Sequence, residues 1–230
     1  MEREHISKIY DVELNEIRAK LLEMGGKVEL MATEAMKSLV DRDSALAEKT
    51  INFDHEINSL EIEIDEKCLQ VLATRQPTAR DLRFLTLALK IVTDLERMGD
   101  QCAAVARRAI ELNREPPLKP YIDLPRMANW TAVMVKEALD AFVRGDADLA
   151  LKVCKDDRFV DELNEQIQRV LLTYMMEDTD TISRGIKINY ISKCFERIGD
   201  HATNIAEMVI FMVKGKDIRH TYPVVEKEAS

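Results

Sequence analysis

Two stretches of this chain place a glutamate and an aspartate four residues apart with a glycine just before the aspartate. They are Glu96-Arg97-Met98-Gly99-Asp100 and, 100 residues later, Glu196-Arg197-Ile198-Gly199-Asp200. On a helix, residues i and i+4 share a side, and like charges there cost about 0.2–0.5 kcal/mol. A glycine inside a helix costs about 1 kcal/mol against alanine. A sequence that carries both penalties twice points to a cation on the carboxylates and a close neighbour at the glycine. The chemistry is that of a hard cation held by oxygen. Carboxylates and amides suit magnesium, manganese, calcium or iron, and an open site keeps water on the ion.

Partners for these pairs lie on acidic stripes elsewhere. Asp54, Asn58, Glu61 and Asp65 each follow an apolar residue (Phe53, Ile57, Leu60, Ile64), and Asp157, Asp161, Asn164 and Gln168 repeat the pattern. One residue is about 100° of helical turn, so the stripes flank the core and a site made from them is open to solvent. Facing helices of a bundle can bring two such pairs together. The competing reading is an ordinary solvated boundary beside an apolar seam. That reading suits Asp65 or Gln168 taken alone, whereas the recurrence of the Glu-Arg-x-Gly-Asp stretch favours a site. His201 follows Asp200, but its counterpart is Gln101, so it reads as incidental; Arg97 and Arg197 read as ion-pair partners. A di-iron site of the ferritin kind needs paired Glu-x-x-His helices, and the only such spacing, Glu2 to His5, falls in the first turn. The chain has neither a Walker-type phosphate loop nor a nucleophile elbow.

The elements that position these residues read as six helices. The periodicity predicts helices over about 5–40, from the turn at 41–44 to about 72, from Pro77-Thr78 onward, and over about 126–143, 146–176 and 181–213, with a tail over 216–230. Gly25-Gly26 inside the first helix predicts a bend or the close approach of another helix. Thr78 with Asp81 has the pattern of a capping box. Four prolines (Pro116, Pro117, Pro120, Pro125) then interrupt the chain at its middle. The fifth helix repeats the second at an offset of 103 (Ile57 to Val160, Leu60 to Leu163), while the sixth repeats the third at 100. The three-residue difference is expected in the connection between the second and third helices. The fold class is therefore all-α, two tandem three-helix antiparallel bundles related by internal duplication. The first spans 1–115, a proline-rich connector 116–125 and the second 126–215.

Composition narrows the function further. Low aromatic content (5%) and seven glycines argue against a sandwich or barrel. With 42 acidic against 33 basic residues, the chain lacks the basic footprint of a nucleic-acid binder. Cys68, Cys102, Cys154 and Cys194 are scattered on helical patterns and read as buried thiols in a reducing compartment. No apolar run reaches the length of a membrane span, and no signal peptide opens the chain, so a cytoplasmic protein without membrane insertion is expected.

With these motifs on duplicated three-helix units, the sequence resembles the PhoU family of bacterial phosphate-signalling proteins. The match runs through Met24-Gly25-Gly26, Arg75-Gln76-Pro77-Thr78 with Asp81-Leu82-Arg83, Leu95-Glu96-Arg97, Thr173-Tyr174-Met175-Met176-Glu177-Asp178 and Val213-Lys214-Gly215. The resemblance implies a cytoplasmic helical adaptor, a homodimer in many members, that restrains the phosphate regulon and phosphate uptake. It would link the ATPase subunit of the Pst transporter to the sensor kinase PhoR. It also implies divalent or iron-type metal ions (magnesium, manganese, iron or zinc) on Glu/Asp-x-x-x-Asp pairs, matched here by Glu96 with Asp100, Glu196 with Asp200 and Asp157 with Asp161. The fourth pair, Asp54 with Asn58, departs from the pattern, which implies weaker binding or fewer ions in the first unit. Two other functions fit the residues: a hydrolase whose carboxylate-bound metal activates water, and a plain helical scaffold without metal.

Overall fold

Six long helices follow one another: α1 (Glu2–Val40), α2 (Ser44–Thr74), α3 (Ala79–Asn113), α4 (Asp123–Arg144), α5 (Ala147–Glu177) and α6 (Ile182–Lys214), with one 3-10 turn at Thr179–Thr181. The computed structural model describes residues 2–215, and side chains from Tyr10 onward. No strand occurs among the described residues, and the tail expected over 216–230 lies outside them.

The helix ends show the duplication more sharply than the interiors. Asp43 caps α2 by accepting from the Leu46 N–H, and Asp146 caps α5 by accepting from Asp148 and Leu149. The residue before each cap is left-handed: Arg42 at φ 56° and Gly145 at φ 65°. Such a backbone strains a non-glycine residue by about 1–2 kcal/mol. At Arg42 the guanidinium offsets that strain by donating to the carbonyls of Asn113 and Glu115, at 2.7 and 2.6 Å, which finishes the end of α3. Thr78 caps α3, as its sequence pattern predicts, and Thr181 stands at the matching start of α6.

These caps relocate the three-residue difference between the units. The α2–α3 and α5–α6 connections are equally long, 75–78 and 178–181. Glu96 lies 18 residues beyond Thr78, but Glu196 lies only 15 beyond Thr181. The expected insertion in the first connection is therefore nearly one extra turn within the N-terminal part of α3. The proline connector also ends sooner than its composition suggests. Pro125 sits in the first turn of α4, where a missing N–H breaks no helical bond.

Within the first unit α1, α2 and α3 pack on one another; α4, α5 and α6 do the same in the second. The units meet through α3 against α6 and α1 against α4, so one continuous apolar core runs through both. The connector is pinned as well, by Arg184 donating to the Pro116 carbonyl (3.1 Å) and Lys187 to Glu115 (2.6 Å). Of the two possibilities at Gly25-Gly26, α1 shows the close approach and no break. A Cβ on Gly25 would stand 2.0 Å from Leu139 Cδ1 of α4, whereas one on Gly26 would meet nothing within 4 Å. All four cysteines are free and buried.

Candidate metal centre

Each three-helix unit brings its own carboxylates together across one helix pair. In the first unit, Asp54 and Asn58 of α2 face Glu96 and Asp100 of α3. Asp54 is held above the ordinary carboxylate range first by burial and then by repulsion from Asp100. Glu96 is raised by burial and by Asp100, Glu61 and Asp54. In the second unit, Asp157 and Asp161 of α5 face Glu196 and Asp200 of α6. Asp157 is pushed up to about 7 by burial, reinforced by Asp161, Asp200 and Glu196. Burial and Glu196 also raise Asp161 and Asp200.

The glycines account for how closely these carboxylates sit to the facing helix. A Cβ on Gly99 would lie 3.3 Å from Asp54 Oδ1 and 3.2 Å from Ile57 Cγ2. On Gly199 it would lie 3.1 Å from Asp157 Oδ1 and 3.5 Å from Val160 Cγ1. The equivalent glycine thus cradles the equivalent aspartate in both units. That is the close neighbour which the repeated glycine implied.

An oxygen-seeking cation fits these donors. Asp54 Oδ1 is buried without a hydrogen-bond partner among the described residues, while its other oxygen takes a long bond, 3.4 Å, from the Asn58 amide. A buried, unpartnered carboxylate oxygen beside further carboxylates is costly unless something positive reaches it. As the side chains stand, no three His, Cys, Asp or Glu groups among the described residues converge tightly enough to hold an ion. Binding would have to draw them together. Access is open on the second unit, where Asp157 and Asp161 border a hollow of about 660 Å³. Glu196 is partly engaged there by the Lys193 ammonium.

The structure adds detail at the neighbouring residues. Asp65 does not behave as a solvated boundary residue: its Oδ1 is buried without a partner among the described residues, and burial holds its carboxyl above the usual carboxylate range. Glu61 joins the same cluster, raised by burial and by Asp65 and Asp100. Neither was singled out as a ligand from sequence, although both lie on the stripe, because the pattern gives a face and not a depth. With Glu61 and Asp65 beside it, the asparagine at 58 does not leave the first unit poor in carboxylates. The second unit has Asn164 and Gln168 at those positions, and Asn164 is buried and accepts from the Ser192 hydroxyl at 2.6 Å. His201 has a structural part, its Nδ1 standing 2.8 Å from Asp94 Oδ1 and tying α6 to α3. Arg97 and Arg197 are exposed and make no ion pair among the described residues.

Comparison with known proteins matches this duplicated architecture. The sequence profile of the PhoU domain matches twice, over residues 21–109 and 124–209. The chain is 48% identical over 217 residues to the phosphate-specific transport system accessory protein PhoU homolog of Pseudomonas aeruginosa, covering 94% of this chain and 90% of that one. It is 38% identical over 216 residues to the phosphate-specific transport system accessory protein PhoU of Escherichia coli K12, with 94% and 90% covered. Among solved structures, PhoU from Pseudomonas aeruginosa superposes with a TM-score of 0.86 at 47% identity, covering 90% of this chain and all of that one. The phosphate transport system regulatory protein PhoU from Streptococcus pneumoniae gives 0.83 at 29% identity, with 90% and 98% covered.

Proposed function

This chain belongs to the PhoU family, and from that premise we propose that it is a metal-bearing, non-catalytic regulator of phosphate uptake and of the phosphate regulon. It acts in the cytoplasm as a homodimer, docking the ATPase subunit of a Pst-type phosphate transporter and the sensor kinase PhoR. The relatives named as accessory or regulatory proteins of phosphate transport support this reading. No helix among the described residues is long and apolar enough to cross a membrane, which agrees with a partner that works from the membrane's edge.

The observation that carries the metal part is the aspartate cradled over a glycine among carboxylates, present in both units. Asp54, Glu61, Glu96 and Asp100, with Asn58 as a neutral oxygen, would hold ions in the first unit. Asp157, Asp161, Glu196 and Asp200 would do so in the second. A bound cation supplies positive charge between two helices whose facing carboxylates otherwise repel. The carboxylates come from α2 with α3 and from α5 with α6, so neutralising them tightens each pair and fixes the outward shape that a partner reads.

A capture experiment tests the reading. The full chain, as purified and after chelation, is offered the transporter ATPase subunit and the kinase domain, alongside Asp157→Asn/Asp200→Asn. Both partners should be retained by the native chain and retained about tenfold less by the chelated chain and the variant, a difference of about 1.4 kcal/mol. Retention of neither partner contradicts the adaptor role. Equal retention by all three forms contradicts the metal's part in it.

A further inference from the structure

Away from both carboxylate clusters, a cavity of about 360 Å³ opens where α1, the first turns of α3, the end of α4 and the end of α6 meet. Four arginines line it: Arg18, Arg80, Arg83 and Arg144. Its floor is apolar, built on Phe84 stacked against Phe142 with ring centroids 5.3 Å apart.

These four arginines meet around one hollow with few carboxylates near them. In several other places cations are paired across helices: Lys20 with Glu63, Lys27 with Glu56, Lys67 with Glu16, Arg75 with Glu13 and Lys152 with Glu137. None of the four cavity arginines makes such a pair across helices among the described residues. Arg18 donates to Asn15 and lies over the Phe84 ring at 4.4 Å, while Arg83 reaches only the Ala79 carbonyl at 3.3 Å. Arg80 has no partner among the described residues, and Arg144 has only Asp140, at 3.7 Å. Asp81 is the single carboxylate in the lining, and it is taken up by the Thr78 hydroxyl at 2.8 Å. A chain with net charge −9 thus gathers four guanidiniums around one hollow, and among the described residues only Arg144 has a carboxylate partner.

The duplication isolates the feature further. Arg80 and Arg83 belong to the N-terminal part of α3, which is the part that exceeds its α6 counterpart by three residues. The first turn of α6 offers one arginine, Arg184, and its guanidinium is already spent on the Pro116 and Asp180 carbonyls. The hollow at the matching start of α6, about 260 Å³, has only Arg108 and Lys187 as cations, and both pair with Glu111 or Glu115, so the common ancestry of the two units does not explain the four-arginine lining.

We propose that this cavity binds a compact oligophosphate, either free pyrophosphate or the phosphate tail of a nucleotide. Each guanidinium presents a planar fork that matches two phosphate oxygens, and several forks around one point suit a multiply charged anion better than a single carboxylate. The volume lies at the lower end of small-molecule sites, enough for a diphosphate and part of what it is attached to. Phe84, Phe142 and Met212 would lie under the uncharged portion.

Titration calorimetry of the full chain in metal-free buffer tests the assignment, with pyrophosphate, ADP and adenosine as the probes. Pyrophosphate and ADP should bind, adenosine should not, and raising the salt should weaken both. Arg80→Gln/Arg83→Gln should lose about tenfold or more in affinity. Both side chains are exposed, so the fold is not at risk, and unchanged far-ultraviolet circular dichroism would check it. Asp157→Asn/Asp200→Asn should bind as the native chain does. Equal affinity for the two probes assigns the site to free pyrophosphate, and tighter binding of ADP assigns it to a nucleotide. No binding at millimolar pyrophosphate and ADP, full retention in the arginine variant, or loss in the aspartate variant would overturn the proposal.

Discussion

Asp157 is the residue at which protons and metal compete. Its carboxyl is raised from 3.8 to about 7 in the folded chain, first by burial and then by Asp161, Asp200 and Glu196. Between those two values the native state keeps a proton that the unfolded chain has released, so the stability of the metal-free protein falls as pH rises through this window. Below 3.8 the group makes no difference, and above about 7 the full penalty applies. Asp157→Asn should therefore raise the Tm of the chelated chain at pH 8 by roughly 2–4 °C or more, and by less at pH 5. Thermal melts at the two pH values check this; a variant that melts lower than the native chain at pH 8 would contradict it. The types and spacing of the site residues were legible in the sequence, because the Glu-x-x-x-Asp register survives duplication. Depth was not. Asp65 and Glu61 share a stripe with Asp54, and only the packing of α2 on α3 shows that Asp65 Oδ1 is buried.

At the scale of the helix, two neighbouring glycines separate packing from propensity. Gly25 faces α4, and an added Cβ there would overlap Leu139, so Gly25→Ala should destabilise by about 1–3 kcal/mol as α1 and α4 are pushed apart. Gly26 is exposed with nothing near it, so Gly26→Ala should stabilise by up to about 1 kcal/mol through helix propensity alone. Opposite shifts in Tm would verify the α1–α4 approach, whereas equal shifts would contradict it. The helices themselves, and the cap at Thr78, could be read locally because periodicity and capping act within a few residues. The three-residue offset was misplaced for the opposite reason. Thr181 ends a 3-10 turn whose start is not marked by any proline or glycine, so the equal length of the two connections became visible only in the folded chain.

For the whole molecule, the duplication predicted two bundles, and the structure joins them into one core through α3 with α6 and α1 with α4. His201 with Asp94 bridges that junction, a pairing 107 residues apart that no local pattern could suggest. The arginine cavity was equally illegible, since Arg18, Arg83 and Arg144 come from three helices and meet only on folding. The central claim is that each bundle holds metal on its own carboxylates, over its own glycine. Metal content by mass spectrometry tests it most directly, comparing the native chain with the Glu96→Ala/Asp100→Ala/Glu196→Ala/Asp200→Ala variant after both have met manganese or iron. Metal on the native chain, lost in the variant, is the predicted result. A native chain that retains no metal, or a variant that retains as much, would contradict the account.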